Sequence, residues 1–335
     1  MSTACQFSII IPNWNGIEHI EECLLSVGQQ RFKDFDVVVV DNASTDRSVQ
    51  FIHEHFPGVK VVALADNLGF SAGVNCGIRA SIGKFVVLLN NDTVVAPNWL
   101  ENLVKAIQDN PNVSIFASKL LNYYDRGVID SAGDALDLSL GPYKIGEYQP
   151  KGQFSESRFI FGACGGGGCY RREIFDQIGA FDEDFFAYFE DIDLSFRANW
   201  AGIRTLFVPD AVIYHKIAAT SGASSANKDR FDILRRRNFI FLVIKNYSLP
   251  LLARHLPFIM LGHVAQFLRN ISQRRWRVAF ETQWMILNGL SGMMRKRRQI
   301  LAARMIGTGE MRELCSSKYG GTVAFLRKKL GSGRG

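Results

Sequence analysis

The chain has 335 residues, 47% of them apolar and 21% charged, a balance that excludes global disorder and suits one large domain or a domain with an appendage. Its net charge of +7 is unevenly spread: residues 231–335 hold 20 Lys/Arg against 4 Asp/Glu, whereas residues 1–230 hold 19 against 28. An acidic body with a strongly basic tail points to a tail that meets something anionic, either nucleic acid or a membrane surface.

In chain order, the first 120 residues alternate short apolar runs with stretches of helical spacing. Strands are expected at Phe7–Ile11, Phe35–Val40, Val59–Ala63, Lys84–Leu89 and Val113–Lys119. Helices are expected at Ile17–Val27, from a Ser44 cap to His55, at Ala72–Ser81 and at Trp99–Asp109. Continuous Val/Ile/Leu runs imply strands buried on both faces, so the expected class is α/β, with a mostly parallel sheet and helices on both faces. Residues Asn122–Phe159 lose this rhythm and read as irregular structure or a short hairpin. A glycine-rich segment follows at Phe161–Gly168, then a helix at Asp191–Trp200 and strand-like segments at Arg204–Val208 and Ala211–Tyr214.

The character changes again near Phe231. Leu249–Leu268 is largely apolar with one full charge, Arg254, and Val278–Met294 is a second apolar-rich stretch. Its length admits a membrane span, but Pro250, Pro257, Arg254 and Gln266 count against a clean one. Basic clusters (Arg274, Arg275, Arg277 and Arg295–Arg298) with Trp276 and Trp284 favour helices lying in the headgroup region of an anionic membrane, with a soluble helical cap as the alternative. The expected division is therefore 1–230, a catalytic domain, and 231–335, a basic, helical, membrane-interfacial region. The six cysteines form no Cys-x-x-Cys pair and are expected as free thiols. The opening apolar stretch is too short for a secretory leader and lacks basic residues before it, so the body is expected in the cytoplasm, peripheral on the inner face of the membrane.

In open α/β sheets ligands bind at the carboxyl ends of the strands. Four such ends carry polar clusters: Pro12-Asn13-Trp14-Asn15, Asp41-Asn42-Ala43-Ser44, Asn67-Leu68-Gly69 and Asn90-Asn91-Asp92. Any one of them is what an ordinary turn looks like, but four at one sheet edge outline a site. Asp92 directly follows a buried strand and offers a hard oxygen suited to Mg²⁺ or Mn²⁺ shared with a diphosphate. Glu190-Asp191-Ile192-Asp193 follows an aromatic run and holds more acid than a helix cap needs, so it offers a general base. Asp193 and Arg197 stand at i, i+4, a structural pair. His215 suits a metal or a phosphate equally well, and Arg235-Arg236-Arg237-Asn238 either grips phosphates or forms a solvated face.

Together the strings SIIIPNWNG, VVVVDNASTD, NLGFSAGVNCGI, LLNNDT, GAFDEDFFAYFEDIDLSFRANWAG and VPDAVIYHK resemble the family 2 glycosyltransferases of the GT-A fold, particularly bacterial rhamnosyltransferase-like members. The resemblance covers about Phe7 to Lys216 and is loose beyond. It implies a nucleotide-diphosphate sugar donor, with Asp41 on the base, Pro12 and Asn13 lining that pocket, and Asn67 and Gly69 around nucleotide and sugar. It further implies Asn91-Asp92 at the Asp-x-Asp-type motif, with Asp92 as metal ligand and Asn90 in place of the first acid. Asp191 matches the catalytic base, Glu190 its acidic neighbour, His215 a metal or diphosphate partner, and Arg237 with Asn238 a pair after the core. The implied reaction is single displacement with inversion, the implied donor dTDP-rhamnose, and the implied acceptor a glycan or polyprenyl-linked glycan of cell-surface polysaccharide synthesis. Glycines at 165–168 stand where the family carries larger apolar residues, which leaves acceptor identity open.

A non-catalytic sugar-nucleotide or membrane-glycan binding protein on the same fold is the competing reading. Intact Asp92 and Asp191 favour the enzyme. No nucleic-acid motif accompanies the basic tail, and no Gly-x-Gly-x-x-Gly follows the first strand as a dehydrogenase would require.

Overall fold

The computed structural model describes residues 5–216 and 225–315. In chain order the elements are β1 (Phe7–Asn13), α1 (Ile17–Gly28), β2 (Phe35–Asp41), α2 (Ser48–His55), β3 (Lys60–Ala63), α3 (Gly69–Ala80), β4 (Phe85–Leu88), β5 (Thr93–Val95) and α4 (Trp99–Asp109). Then come β6 (Ile115–Asn122), β7 (Ile129–Ser131), β8 (Asp134–Asp137), β9 (Gly141–Lys144), β10 (Arg158–Ile160), β11 (Gly168–Arg171), α5 (Ile174–Ile178), a 3₁₀ turn (Glu183–Phe185), α6 (Glu190–Trp200) and β12 (Thr205–His215). Four helices close the described chain: α7 (Ser225–Asn246), α8 (Leu249–Ser272), α9 (Trp276–Ala302) and α10 (Thr308–Cys315).

The main sheet runs β10-β12-β6-β11-β4-β1-β2-β3, with β5 added to β12 and β7 to β6. β1 lies parallel to β2 and β4, β2 to β3, and β12 to β6. β11 is antiparallel to both of its neighbours, β4 and β6. A strand reversed between two others leaves those two running the same way. The carboxyl ends of β1, β2, β4, β6 and β12 therefore share one edge, and the polar clusters converge there. Valine and isoleucine runs account for the layering. Ile9 and Ile11 face one core with α1 and α4, while Ile10, Val38 and Val40 face a second core with α3, α5 and α6.

The structure bears out the expected α/β class, with local differences. The helix after β2 starts at Ser48, and Ser44 does not cap it: the Ser44 backbone N–H and hydroxyl both donate to Asp41. The two strand-like segments around Val208 form one strand, β12, with a bulge between Val208 and Val212. The stretch without rhythm contains the β8–β9 hairpin. All six cysteines are free.

A third core joins α6 to α7, α8, α9 and α10 through Phe196, Trp200, Phe241, Tyr247, Leu251 and Met293. The Trp200 indole N–H donates to the Asn246 carbonyl at 3.0 Å. Asp193 sits fully buried among Arg197 Nε (3.0 Å), Lys245 Nζ (2.8 Å) and Asn246 Nδ2 (2.9 Å). Burial alone would raise its pKa, but Lys245 and Arg197 hold it below the usual carboxylate range. The helix that carries residue 231 thus begins at Ser225 and is tied to α6 by buried charge.

α8 is the one helix among the described residues long and apolar enough to cross a membrane, by length and composition only, and just 11% of its most apolar stretch is buried. Leu256, Met260, Leu261, Val264 and Leu268 of α8 are exposed, as are Trp276, Phe280, Trp284, Leu287 and Leu290 of α9. On α9 these recur every three or four residues, which makes one apolar stripe on the outside of the molecule.

Candidate active site

A cavity of about 410 Å³ opens at the carboxyl edge of the sheet. Pro12, Asn13, Asn67, Gly69, Asn91, Asp92, Glu190, Asp191 and His215 all line it, from five separate regions of the chain. Two residues proposed from sequence do not. Asp41 is buried behind the wall, where its carboxylate accepts from the Asn13 amide (3.0 Å), the Ser44 N–H (2.9 Å) and the Ser44 hydroxyl (2.5 Å). Arg237 points away from the cavity, and its Nη2 donates to the carbonyls of Asp184 (2.7 Å) and Phe185 (2.9 Å). These bonds make Arg237 a support of the loop before α6, outside the lining of the cavity. Arg230, about two turns earlier on α7, lines the cavity, with its guanidinium 4.8 Å from the Phe186 ring centre.

Asn13 ties one side of the cavity together. Its amide donates to Asp41 and to the Ser48 hydroxyl (3.0 Å), and its carbonyl oxygen accepts from Asn91 Nδ2 at 2.8 Å. This chain links the ends of β1, β2 and β4. Gly16 is required beside it, because a Cβ there would stand 2.1 Å from Asn91 Nδ2 and 2.2 Å from Asn13 Oδ1. Gly69 has φ +84 and lies against the Phe186 carbonyl, so a side chain is excluded by both backbone angle and space.

Asp92 Oδ1 is buried without a hydrogen-bond partner and lies 3.4 Å from His215 Nε2. His215 Nδ1 contacts Asp130 Oδ2 at 2.9 Å, and Lys144 Nζ bonds both Asp130 oxygens at 2.7 and 2.9 Å. The result is a buried row of alternating charge, Asp92–His215–Asp130–Lys144. Burial alone would lower the His215 pKa, but Asp130 and Asp92 raise it to about 9. Burial would raise both carboxylates, and His215 holds each below its ordinary value, helped at Asp130 by Lys144.

Asp191 stands across the cavity at the start of α6. Oδ2 accepts from the Gly165 N–H at 3.0 Å and Oδ1 from its neighbour Ile192 N–H at 2.8 Å. Burial raises its pKa, against the lowering effect of those N–H groups and of Lys144. Glu190 is raised further, by burial and then by the charge of Asp191, and its Oε2 has no hydrogen-bond partner. The segment before this helix is held under strain: Phe186, Tyr188 and Phe189 have φ of 63, 73 and 73°. Asn238 clamps it by donating to the carbonyls of Phe185 (2.8 Å), Ala187 (2.8 Å) and Tyr188 (2.7 Å).

Sequence reasoning missed Asp130, Asp134, Lys144 and Cys164. Three of these lie in the stretch without periodicity, where the one available signal is a charged residue inside a very short strand-like segment, such as Asp130 between Ile129 and Ser131. Tertiary pairing of β7 with β6, and of β8 with β9, delivers them to the site.

Residues 8–179 match the family model described as glycosyl transferase family 2. The chain belongs to that family. It is 28% identical over 249 residues to an uncharacterised protein, y4gI, of Sinorhizobium fredii, covering 70% of this chain and 27% of that one. It is 27% identical over 236 residues to the N-acetylglucosaminyl-diphospho-decaprenol L-rhamnosyltransferase of Mycobacterium tuberculosis, covering 62% of this chain and 75% of that one. The crystal structure of GalNAc-T7 with UDP, GalNAc and Mn²⁺ superposes with a TM-score of 0.57 at 18% identity, over 73% of this chain and 48% of that one. At that identity the likeness shows the fold alone, and the fold is GT-A. The chain spans about a quarter of y4gI and about half of GalNAc-T7.

Proposed function

We propose that this family 2 glycosyl transferase moves a sugar from a nucleotide-diphosphate donor to a hydroxyl of a lipid-linked glycan, with inversion. The observation that carries the reading is the opposition, within one cavity, of Asp92, whose buried oxygen lacks a partner, and Asp191, a carboxylate oriented by two backbone N–H groups. Asp191 takes the proton of the attacking hydroxyl, and its raised pKa makes it a stronger base than a solvated aspartate. One base on the acceptor side suffices for single displacement, and the developing transition state is oxocarbenium-like. The Asn13–Asn91 link holds the donor side of the cavity in register with Asp92.

Mg²⁺ or Mn²⁺ fits the hard carboxylate oxygen of Asp92, which has no hydrogen-bond partner, and His215 Nε2 could join it only by giving up the proton that Asp92 and Asp130 favour there. When bound, such an ion neutralises charge on a diphosphate leaving group. Mn²⁺ in the GalNAc-T7 crystal supports this choice of cofactor. The mycobacterial relative's name supports rhamnose as the sugar and a polyprenyl diphosphate-linked sugar as the acceptor; dTDP as its carrier rests on the resemblance read from the sequence. The exposed stripe of α8 and α9, with Arg295 and Arg298 at one end and Arg277 at the other, suits an anionic membrane surface where such an acceptor resides. The protein then works as a peripheral enzyme on the cytoplasmic face.

The test is transfer across a panel of nucleotide sugars with bacterial glycolipid acceptors, with Mn²⁺, Mg²⁺ or EDTA, using wild type, Asp92→Ala and Asp191→Asn. Metal-dependent release of nucleoside diphosphate from one donor, lost in both variants, supports the enzyme and names the donor. Donor binding with no turnover from any acceptor supports the non-catalytic binder instead. No donor binding with or without metal sinks the transferase and the sugar-nucleotide binder alike.

A further inference from the structure

Three side chains unused as metal ligands in the reading above converge beside the cavity. A carboxylate oxygen of Asp134, the thiol sulfur of Cys164 and a carboxylate oxygen of Asp191 all lie within 4.8 Å of one another. They come from β8, from the loop before β11 and from the first turn of α6. Asp134 is 6% exposed, and no hydrogen bond to its carboxylate is found among the described residues. Glu190, also 6% exposed, adds an oxygen without a partner, and it lines the same cavity. Two acids and a thiol thus cluster beside Lys144, whose ammonium is already paired with both oxygens of Asp130. The cluster lacks positive charge, and Cys164 and Asp191 open onto the cavity.

We propose that Asp134, Cys164 and Asp191 form a binding site for a thiophilic divalent cation of the Zn²⁺ class, distinct in its ligands from the Asp92–His215 pair. The two ligand sets differ in chemistry. Oxygen and imidazole at Asp92 and His215 accept Mg²⁺ or Mn²⁺, whereas a thiolate selects Zn²⁺. Three protein ligands with the fourth position facing a cavity is a common zinc arrangement. Burial and the neighbouring carboxylates keep the Cys164 thiol and Asp134 protonated well above their ordinary ranges, so a bound dication replaces protons that the cluster otherwise holds. Those protons leave to solvent, and affinity rises with pH. Resting on the reading of Asp191 as the base, occupancy also stops transfer, because the ion takes the lone pair that would accept the proton.

The experiment titrates the full chain with Cd²⁺ and follows thiolate-to-metal charge-transfer absorption. One equivalent of band is expected. It disappears in Cys164→Ser, weakens by about tenfold or more in Asp134→Asn, and persists in Asp92→Ala, with circular dichroism confirming that each variant is folded. No band, or a band that survives Cys164→Ser, overturns the site. In parallel, Zn²⁺ is added to the transfer assay at saturating Mn²⁺. Inhibition in wild type that is relieved in Cys164→Ser supports the whole proposal. A Cys164-dependent band with unchanged transfer keeps the site and removes Asp191 from the role of base.

Discussion

His215 presents Nδ1 to Asp130 Oδ2 at 2.9 Å, and its opposite nitrogen is thereby turned toward Asp92. Asp130 does not line the cavity, so it acts through His215: it fixes the ring's orientation and is itself fixed by Lys144. Partners of this kind typically set metal affinity by 10–100-fold. Asp130→Asn is expected to weaken Mn²⁺ binding by about that factor, measured by calorimetry with UDP or dTDP present. Unchanged Mn²⁺ affinity would show that His215 needs no orienting partner.

Asn238 satisfies three carbonyls of a segment whose backbone is strained at Phe186, Tyr188 and Phe189. Asn238→Ala leaves those buried carbonyls short of donors, at a cost of roughly 2–4 kcal/mol. Both the unfolding free energy and the turnover number are expected to fall, because the same segment leads directly into Glu190 and Asp191. A variant with normal turnover and lowered stability would separate the clamp from the site.

Asp182 ties the 3₁₀ turn to α7 and α9 through Lys245 (2.6 Å) and Lys296. Burial would raise its pKa, but the two ammonium groups lower it from 3.8 to about 2. A folded-state pKa below the unfolded one gives stability that is present above pH ~4 and is lost as pH falls through the window from ~4 to ~2. The amount is roughly 2 kcal/mol. Acid unfolding curves should show wild type losing that much more than Asp182→Asn across this window. Parallel curves would refute the linkage.

Removing residues from 231 onward is a poor probe of the membrane surface, since it deletes Arg237, Asn238, Lys245 and Asn246, which support the site and α6. Charge placed on the exposed stripe is cleaner. Leu261→Asp and Trp284→Asp change side chains that are 70% and 66% exposed. The double variant is expected to keep its fold and its activity on a soluble acceptor analogue, and to lose flotation with anionic vesicles. Equal flotation of both proteins would remove the stripe from membrane binding.

Much of the site was legible because the chemistry sits at strand ends. Asp92 stands three residues after the apolar run Phe85–Leu89 and Asp191 two residues after an aromatic run, so a strand end and a cluster of acids marked the two positions. Asp41 and Arg237 show the limit of that signal. Each has the right residue type near the right place, yet Asn13 and Ser44 occupy Asp41, and two carbonyls occupy Arg237. Partner atoms from elsewhere in the chain decided both, and local sequence holds no record of them. The β8–β9 hairpin was legible only as an interruption, because short strands that add to a core built by others need no period of their own.

By itself, the sequence determined the layered α/β class, the edge that carries the chemistry and the family, since buried strands demand unbroken apolar runs and the polar ends follow at once. Tertiary structure alone decided which side chains meet. The reversed β11, the hairpin carrying Asp134 and Lys144, and the helix carrying Asn238 come from segments distant in sequence, and only packing brings Lys144 to Asp130 beside His215, Asp134 to within 4.8 Å of Asp191, and Asn238 to the carbonyls that lead into α6.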